Sequence, residues 1–224
     1  MMRATWPELA RWQDVSYPLT GLSLDPQQSI NGAETVVPTM RGKWTMTAQV
    51  VVAGEAAQLE WQTFVAQMEG RIGTVLVPMR SRFRPMDRNG KFTPFRHTAQ
   101  FARSQTFEHW GFEATPISRA TVASDAALRS TRLSITITDT TGVRPGQIIS
   151  IGERAHRVQA AWSEAEGTQN LMIQPPLREA VAAGADVELS RPVCRMRFAS
   201  EGEGVIDENM ARAQSVSVNF VEAV

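Results

Sequence analysis

The sequence predicts a mainly β chain with one packed helix and a second, smaller β domain inserted into the first. Three observations point there. Residues 43–78 read as strand, helix, strand. Residues 120–191 hold short strands broken by turns, at the roughly 8–12-residue spacing of a small β-barrel or sandwich. Residues 214–224 form an alternating strand with no partner nearby in sequence, so it returns to the first sheet. The expected domains are therefore 1–119 with 192–224, and 120–191.

The chain has 224 residues, of which 42% are hydrophobic and 21% charged, enough for one large β domain or two small ones. Lys+Arg and Asp+Glu balance at 23 each, so no global charge argues for nucleic acid. No apolar run approaches the ~20 residues that cross a bilayer. Residues 1–12 lack the apolar run of a secretory signal. The single cysteine, Cys194, makes no internal disulfide. These features predict cytoplasmic synthesis and no membrane partner.

In chain order, residues 10–24 place Trp12, Val15, Tyr17, Leu19 and Leu22 on an opening strand or extended arm, which Pro18 limits to a sheet edge. Asn31-Gly32 predicts a type I′ hairpin, since both residues tolerate positive φ. Trp44, Met46, Ala48, Val50 and Val52 then alternate with Thr45, Thr47, Gln49 and Val51, the period of a strand with one wet face. After Gly54 the period changes. Ala57, Trp61, Phe64, Val65 and Met68 form one helical stripe that should pack on the sheet it interrupts. Glu55 suits the first turn, and Gly70 the left-handed C-terminal cap. A short strand, 73–77, leads to Pro78.

Residues 79–106 are basic. Arg80, Arg82, Arg84, Arg88, Lys91, Arg96 and Arg103 face Asp87 alone among acids, with Phe83, Phe92, Phe95 and Phe101 interleaved. A loop this long is usually functional or disordered. It reads either as a contact surface for another subunit or nucleic acid, or as a solvated loop whose phenylalanines tuck back onto the core. The candidate inter-subunit contacts are Arg80, Arg82, Phe83, Arg84, Arg88, Lys91, Phe92, Phe95 and Arg96. Residues 110–117 are expected to return to the first domain. In the inserted domain, strands are expected at 133–137, 147–151, 155–161, 171–173 and 187–189. Cys194, Met196 and Phe198 alternate on a further strand, and residues 201–208 read as an acidic, Gly-containing loop.

No catalytic, cofactor-binding or metal site is nominated. His97, His109 and His156 are isolated, and no His, Cys or acid cluster has zinc spacing. There is no Gly-rich phosphate loop and no GxSxG elbow. Cys194 lies on an alternating strand and is expected as a packed thiol. Asp207 and Glu208 read as a solvated turn. The expectation is a protein that is not an enzyme and uses no cofactor.

Several stretches together resemble the distal tail protein of long-tailed phages and phage-like particles. One run includes Asn31-Gly32, Arg41-Gly42-Lys43-Trp44, the helix residues 57–64, and Arg71-Ile72-Gly73-Thr74-Val75-Leu76-Val77-Pro78. Another runs through residues 144–152, His156-Arg157-Val158, Pro176-Leu177-Arg178 and Gly184, similar to the small β domain inserted in such proteins. The ending 216–223 also looks like a tail-protein terminal strand. The resemblance implies a β-sandwich of tail-tube type with one helix. It implies a ring, hexameric in this family, that joins the tail tube to the hub or baseplate. The lumen would pass DNA and the tape-measure protein, and the protein would reside in the virion at the tail tip. No catalysis is implied. The N-terminal arm and the basic loop are the expected contacts with neighbouring copies.

The alternative is a carbohydrate- or receptor-binding tail module, which would depend on Trp162 or His156. A wall-degrading hydrolase is the third reading, and no residue nominates it.

Overall fold

The computed structural model describes residues 3–79, 81, 83–86, 119–138, 140–165, 167–206 and 213–224. Its strands and single helix begin with β1 Arg3–Ala4, β2 Arg11–Ser16, β3 Leu19–Thr20, β4 Gln27–Gln28, β5 Glu34–Thr35, β6 Lys43–Ala53, α1 Glu55–Met68 and β7 Thr74–Pro78. They continue with β8 Arg119–Val122, β9 Arg132–Ile137, β10 Ile148–Ile151, β11 Arg154–Ala165, β12 Thr168–Gln174, β13 Asp186–Glu188, β14 Val193–Phe198 and β15 Ala213–Glu222. Among the described residues the fold is mainly β with one helix and a small closed barrel, as the sequence predicts. The chain divides into two compact units, Met1–Pro78 with Val193–Val224, and Met79–Pro192. Residues 110–117, expected to return to the first domain, lie outside the described residues, as do Asp207 and Glu208.

The first unit is one seven-stranded sheet in the order β1-β7-β14-β15-β6-β2, with β3 also paired to β6. Alternation decides which face is dry. Trp44, Met46, Ala48, Val50 and Val52 of β6 are buried, and so are Val216, Val218 and Phe220 of β15 beside them. Cys194, Met196 and Phe198 continue this face on β14. Helix α1 lays Ala57, Trp61, Phe64 and Met68 on it. Phe64 meets Phe198 edge-on with ring centroids 5.7 Å apart, and Phe198 lies 5.2 Å from Phe220. Burying each large side chain contributes roughly 1.5–3 kcal/mol, and each aromatic pair about 0.5–1.5 kcal/mol more.

The ends of α1 differ in detail from expectation. Glu69 already takes the left-handed conformation, and Gly70 follows with φ 64. The chain then doubles back so tightly that the Gly73 N–H donates to the Met68 carbonyl at 2.8 Å. A Cβ on Gly73 would lie 2.7 Å from Met68 backbone atoms, so only glycine fits.

The acidic loop after β14 is not simply solvated. The Trp61 indole N–H donates to the buried Gly204 carbonyl at 2.8 Å. The Glu203 carboxylate accepts from Ser200 Oγ at 2.9 Å and from the Asn219 backbone N–H at 2.8 Å. The carboxylate meets the part-buried Asn219 N–H of β15, a donor that is costly to leave without a partner.

The second unit is built on a closed six-stranded barrel, β10-β11-β12-β9-β8-β13. Leu133, Ile135, Ile149, Val158, Leu171, Ile173 and Val187 fill its core. Strand β8 carries only Ala120 and Val122 inward, a signal too short to read from alternation.

Candidate assembly surface

Of the candidate contacts, Arg80, Arg82, Arg88, Lys91, Phe92, Phe95 and Arg96 lie outside the described residues. Phe83 and Arg84 are described, and they behave differently. Phe83 is 66% exposed. Arg84 turns inward, its guanidinium donating to the Ser190 carbonyl at 3.4 Å. Burial, and then the nearby Arg191, lower the Arg84 pKa. The segment is fastened again at Met86, whose carbonyl accepts from Thr140 Oγ1 at 2.6 Å.

The N-terminal arm does not stand free. β1 pairs in parallel with β7, and β2 pairs with β6. Trp6 stacks on Trp12 at 4.7 Å and also meets Phe64. The Glu60 carboxylate accepts from the Glu8 and Leu9 N–H groups, each at 3.0 Å. The arm's Trp6 and Trp12 are half-buried against the chain's own helix and sheet. Nor is β2 an inviting edge. It is bulged between Trp12 and Asp14, and Pro18 follows it. Bulges and prolines are ways in which sheet edges resist pairing with other chains.

Among the described residues an open surface is formed by the hairpin over residues 21–41, built around β4 and β5. Nearly every residue in it is exposed. Leu22, Leu24, Ile30, Val36, Val37 and Met40 are among its exposed large apolar side chains. A two-stranded ribbon is marginally stable alone, and such apolar exposure marks an interaction surface. The sequence reading found the turn here but not the exposed apolar face. Apolar residues on both flanks of Asn31-Gly32, with no second apolar element to cover them, were the available signal.

The turn itself is not type I′. Gly32 has φ 81, whereas Asn31 is not among the positive-φ residues. Gly32 N–H donates to the Ser29 carbonyl at 2.9 Å, and Ser29 N–H to the Ala33 carbonyl at 2.8 Å. This is a three-residue loop with a left-handed glycine bulge.

His156 is buried and faces the barrel interior, so it offers no surface for a sugar. Its Nδ1 lies 2.8 Å from the Pro175 carbonyl. Since the carbonyl can only accept, Nδ1 carries the proton. Trp162 is exposed on β11, opposite Asn170 of β12. Cys194 is a buried free thiol. Among the described residues no group of His, Cys, Asp and Glu is placed to hold a metal ion. No protein-family model matches the chain, and no curated protein matches it either.

Proposed function

We propose that this protein is a structural subunit of a phage-like tail tip. It assembles with copies of itself into a ring, hexameric by resemblance, between the tail tube protein and the hub or baseplate. DNA and the tape-measure protein would pass through the lumen. Its place is the virion, after synthesis in a bacterial cytoplasm, and it performs no catalysis. The observation that carries the reading is the exposed apolar hairpin over residues 21–41, on a chain whose order of elements resembles distal tail proteins. An assembly subunit needs such a surface, and a freely soluble monomer is burdened by it.

Light scattering and negative-stain imaging of the purified protein test the proposal. The expected result is a closed ring with an open centre, formed in solution or on purified tail tubes. A monomer that neither self-associates when concentrated nor adds to tubes overturns it. A second reading, a carbohydrate- or receptor-binding tail module, is favoured by Trp162 alone. It requires saturable binding of a surface glycan that Trp162→Ala abolishes.

A further inference from the structure

Asn31 and Gly32 meet at the tip of the exposed hairpin in a setting with its own covalent chemistry. Residues 29–33 are all exposed. The Asn31 side chain folds over its own turn, and its Oδ1 accepts from the Ala33 N–H at 3.2 Å. Asparagine commonly bonds its own backbone two residues on. Here the bond draws electron density from the side-chain carbonyl and leaves Cγ more electrophilic. Gly32 has no Cβ, and nothing lies within 4 Å of where one would stand. No side chain therefore screens the Gly32 nitrogen from Asn31 Cγ.

The other described asparagines lack this setting. Asn170 sits inside β12, opposite Ser134, and Leu171 follows it into the barrel core. Asn219 sits inside β15, its N–H and side-chain amide held by Glu203, and buried Phe220 follows it. In both, a bulky side chain stands beside the next nitrogen, and strand pairing holds the peptide extended. Asn89-Gly90 is the same dipeptide, outside the described residues.

We propose that Asn31 is a site of spontaneous deamidation in the folded protein, through a succinimide and with water as the co-reactant. The Gly32 nitrogen attacks Asn31 Cγ. A C–N bond forms, the Cγ–Nδ2 bond breaks, and ammonia leaves with the Gly32 proton. Water then opens the cyclic imide without any redox change. Opening at the main-chain carbonyl of residue 31 yields isoaspartate, and opening at the side-chain carbonyl yields aspartate. The Gly32 N–H must first leave the Ser29 carbonyl, to which it donates at 2.9 Å. A two-stranded ribbon is marginally stable, so this bond slows the reaction without stopping it. Either product puts a carboxylate at the tip. Isoaspartate also lengthens the main chain, so the Ser29 N–H and the Ala33 carbonyl, 2.8 Å apart, lose their match. The chemistry belongs to the free chain and does not rest on the assembly reading.

The test ages the purified full-length protein in warm, mildly alkaline buffer and follows it by tryptic peptide mapping. Cleavage after Arg11 and Arg41 releases residues 12–41, in which Asn31 is the sole asparagine, while Asn89, Asn170 and Asn219 fall in other peptides. The expected result is conversion at Asn31 about tenfold faster than at Asn170 or Asn219. Isoaspartate, read by labelling with an isoaspartyl methyltransferase, should exceed aspartate. Gly32→Ala, which sets a Cβ beside the attacking nitrogen, should slow the conversion about tenfold. Aspartate without isoaspartate overturns the succinimide route, since direct hydrolysis of the amide gives aspartate alone. Conversion at Asn31 no faster than at the strand asparagines overturns the site, as does conversion confined to the urea-denatured chain. An unchanged rate in Gly32→Ala overturns the part given to the bare glycine nitrogen.

Discussion

His156 shows how one residue sets a pH limit on the barrel. Burial is the main cause that pushes its pKa down from 6.5 to about 4; Arg178 and Arg154 push the same way, and the Pro175 carbonyl opposes them. The unfolded chain therefore binds a proton at a pH where the folded chain does not. Stability is full above about pH 6.5 and falls as the pH drops toward 4. The shift corresponds to about 3 kcal/mol at most. Denaturant midpoints at pH 7 and pH 4.5 should show this loss, and His156→Asn should lose much less across the same window. Equal losses in both proteins would remove His156 as the cause. Gly73 makes a steric counterpart. Gly73→Ala places its Cβ against the Met68 backbone and should cost about 1–3 kcal/mol. Gly32→Ala, where nothing lies within 4 Å of the new Cβ, should cost only about 1 kcal/mol through its positive φ. Melting curves of the two variants check the ranking.

At the scale of elements, legibility follows the length of the pattern. β6, α1 and β15 each repeat their period over ten or more residues, and each was readable with its buried face. β8 has two inward residues, and no period can be recognised in two. The turn at Asn31-Gly32 was readable as a turn, but its type depends on how many residues separate the paired strands, which composition does not specify. The loop after β14 misled for another reason. Acidic residues usually signal solvent, and here one of them, Glu203, satisfies the main-chain N–H and the side-chain amide of Asn219. The exposed apolar face was harder still. A basic, phenylalanine-bearing stretch draws attention, while Leu22, Leu24 and Val37 look like ordinary core residues until the fold leaves them uncovered. The loop also supplies a test. Trp61→Phe keeps the ring but removes the donor to the Gly204 carbonyl. It should cost about 1–3 kcal/mol and make residues 200–206 the first site of proteolytic cleavage. Unchanged stability and an unchanged cleavage pattern would mean that the bond holds nothing in place.

At the scale of the whole molecule, the barrel unit is inserted where the first unit can most easily spare it. Pro78 ends β7 and Val193 begins β14, and these two residues are register partners in adjacent antiparallel strands. The Met79 N–H donates to the Pro192 carbonyl at 2.8 Å, continuing the same ladder. Everything between residues 79 and 192 therefore occupies the position of a hairpin loop. Replacing it by a short Asn-Gly turn should leave a folded first unit, because Trp44, Met46, Trp61, Phe64, Phe198 and Phe220, the large buried side chains of the sheet and α1, all lie outside the insert. Such a chain should melt cooperatively and keep the blue-shifted fluorescence of buried Trp44 and Trp61. A shortened chain that still forms rings would assign assembly to the sheet unit alone. One that does not fold would mean that the insert is part of the first unit's stability and not a module added to it.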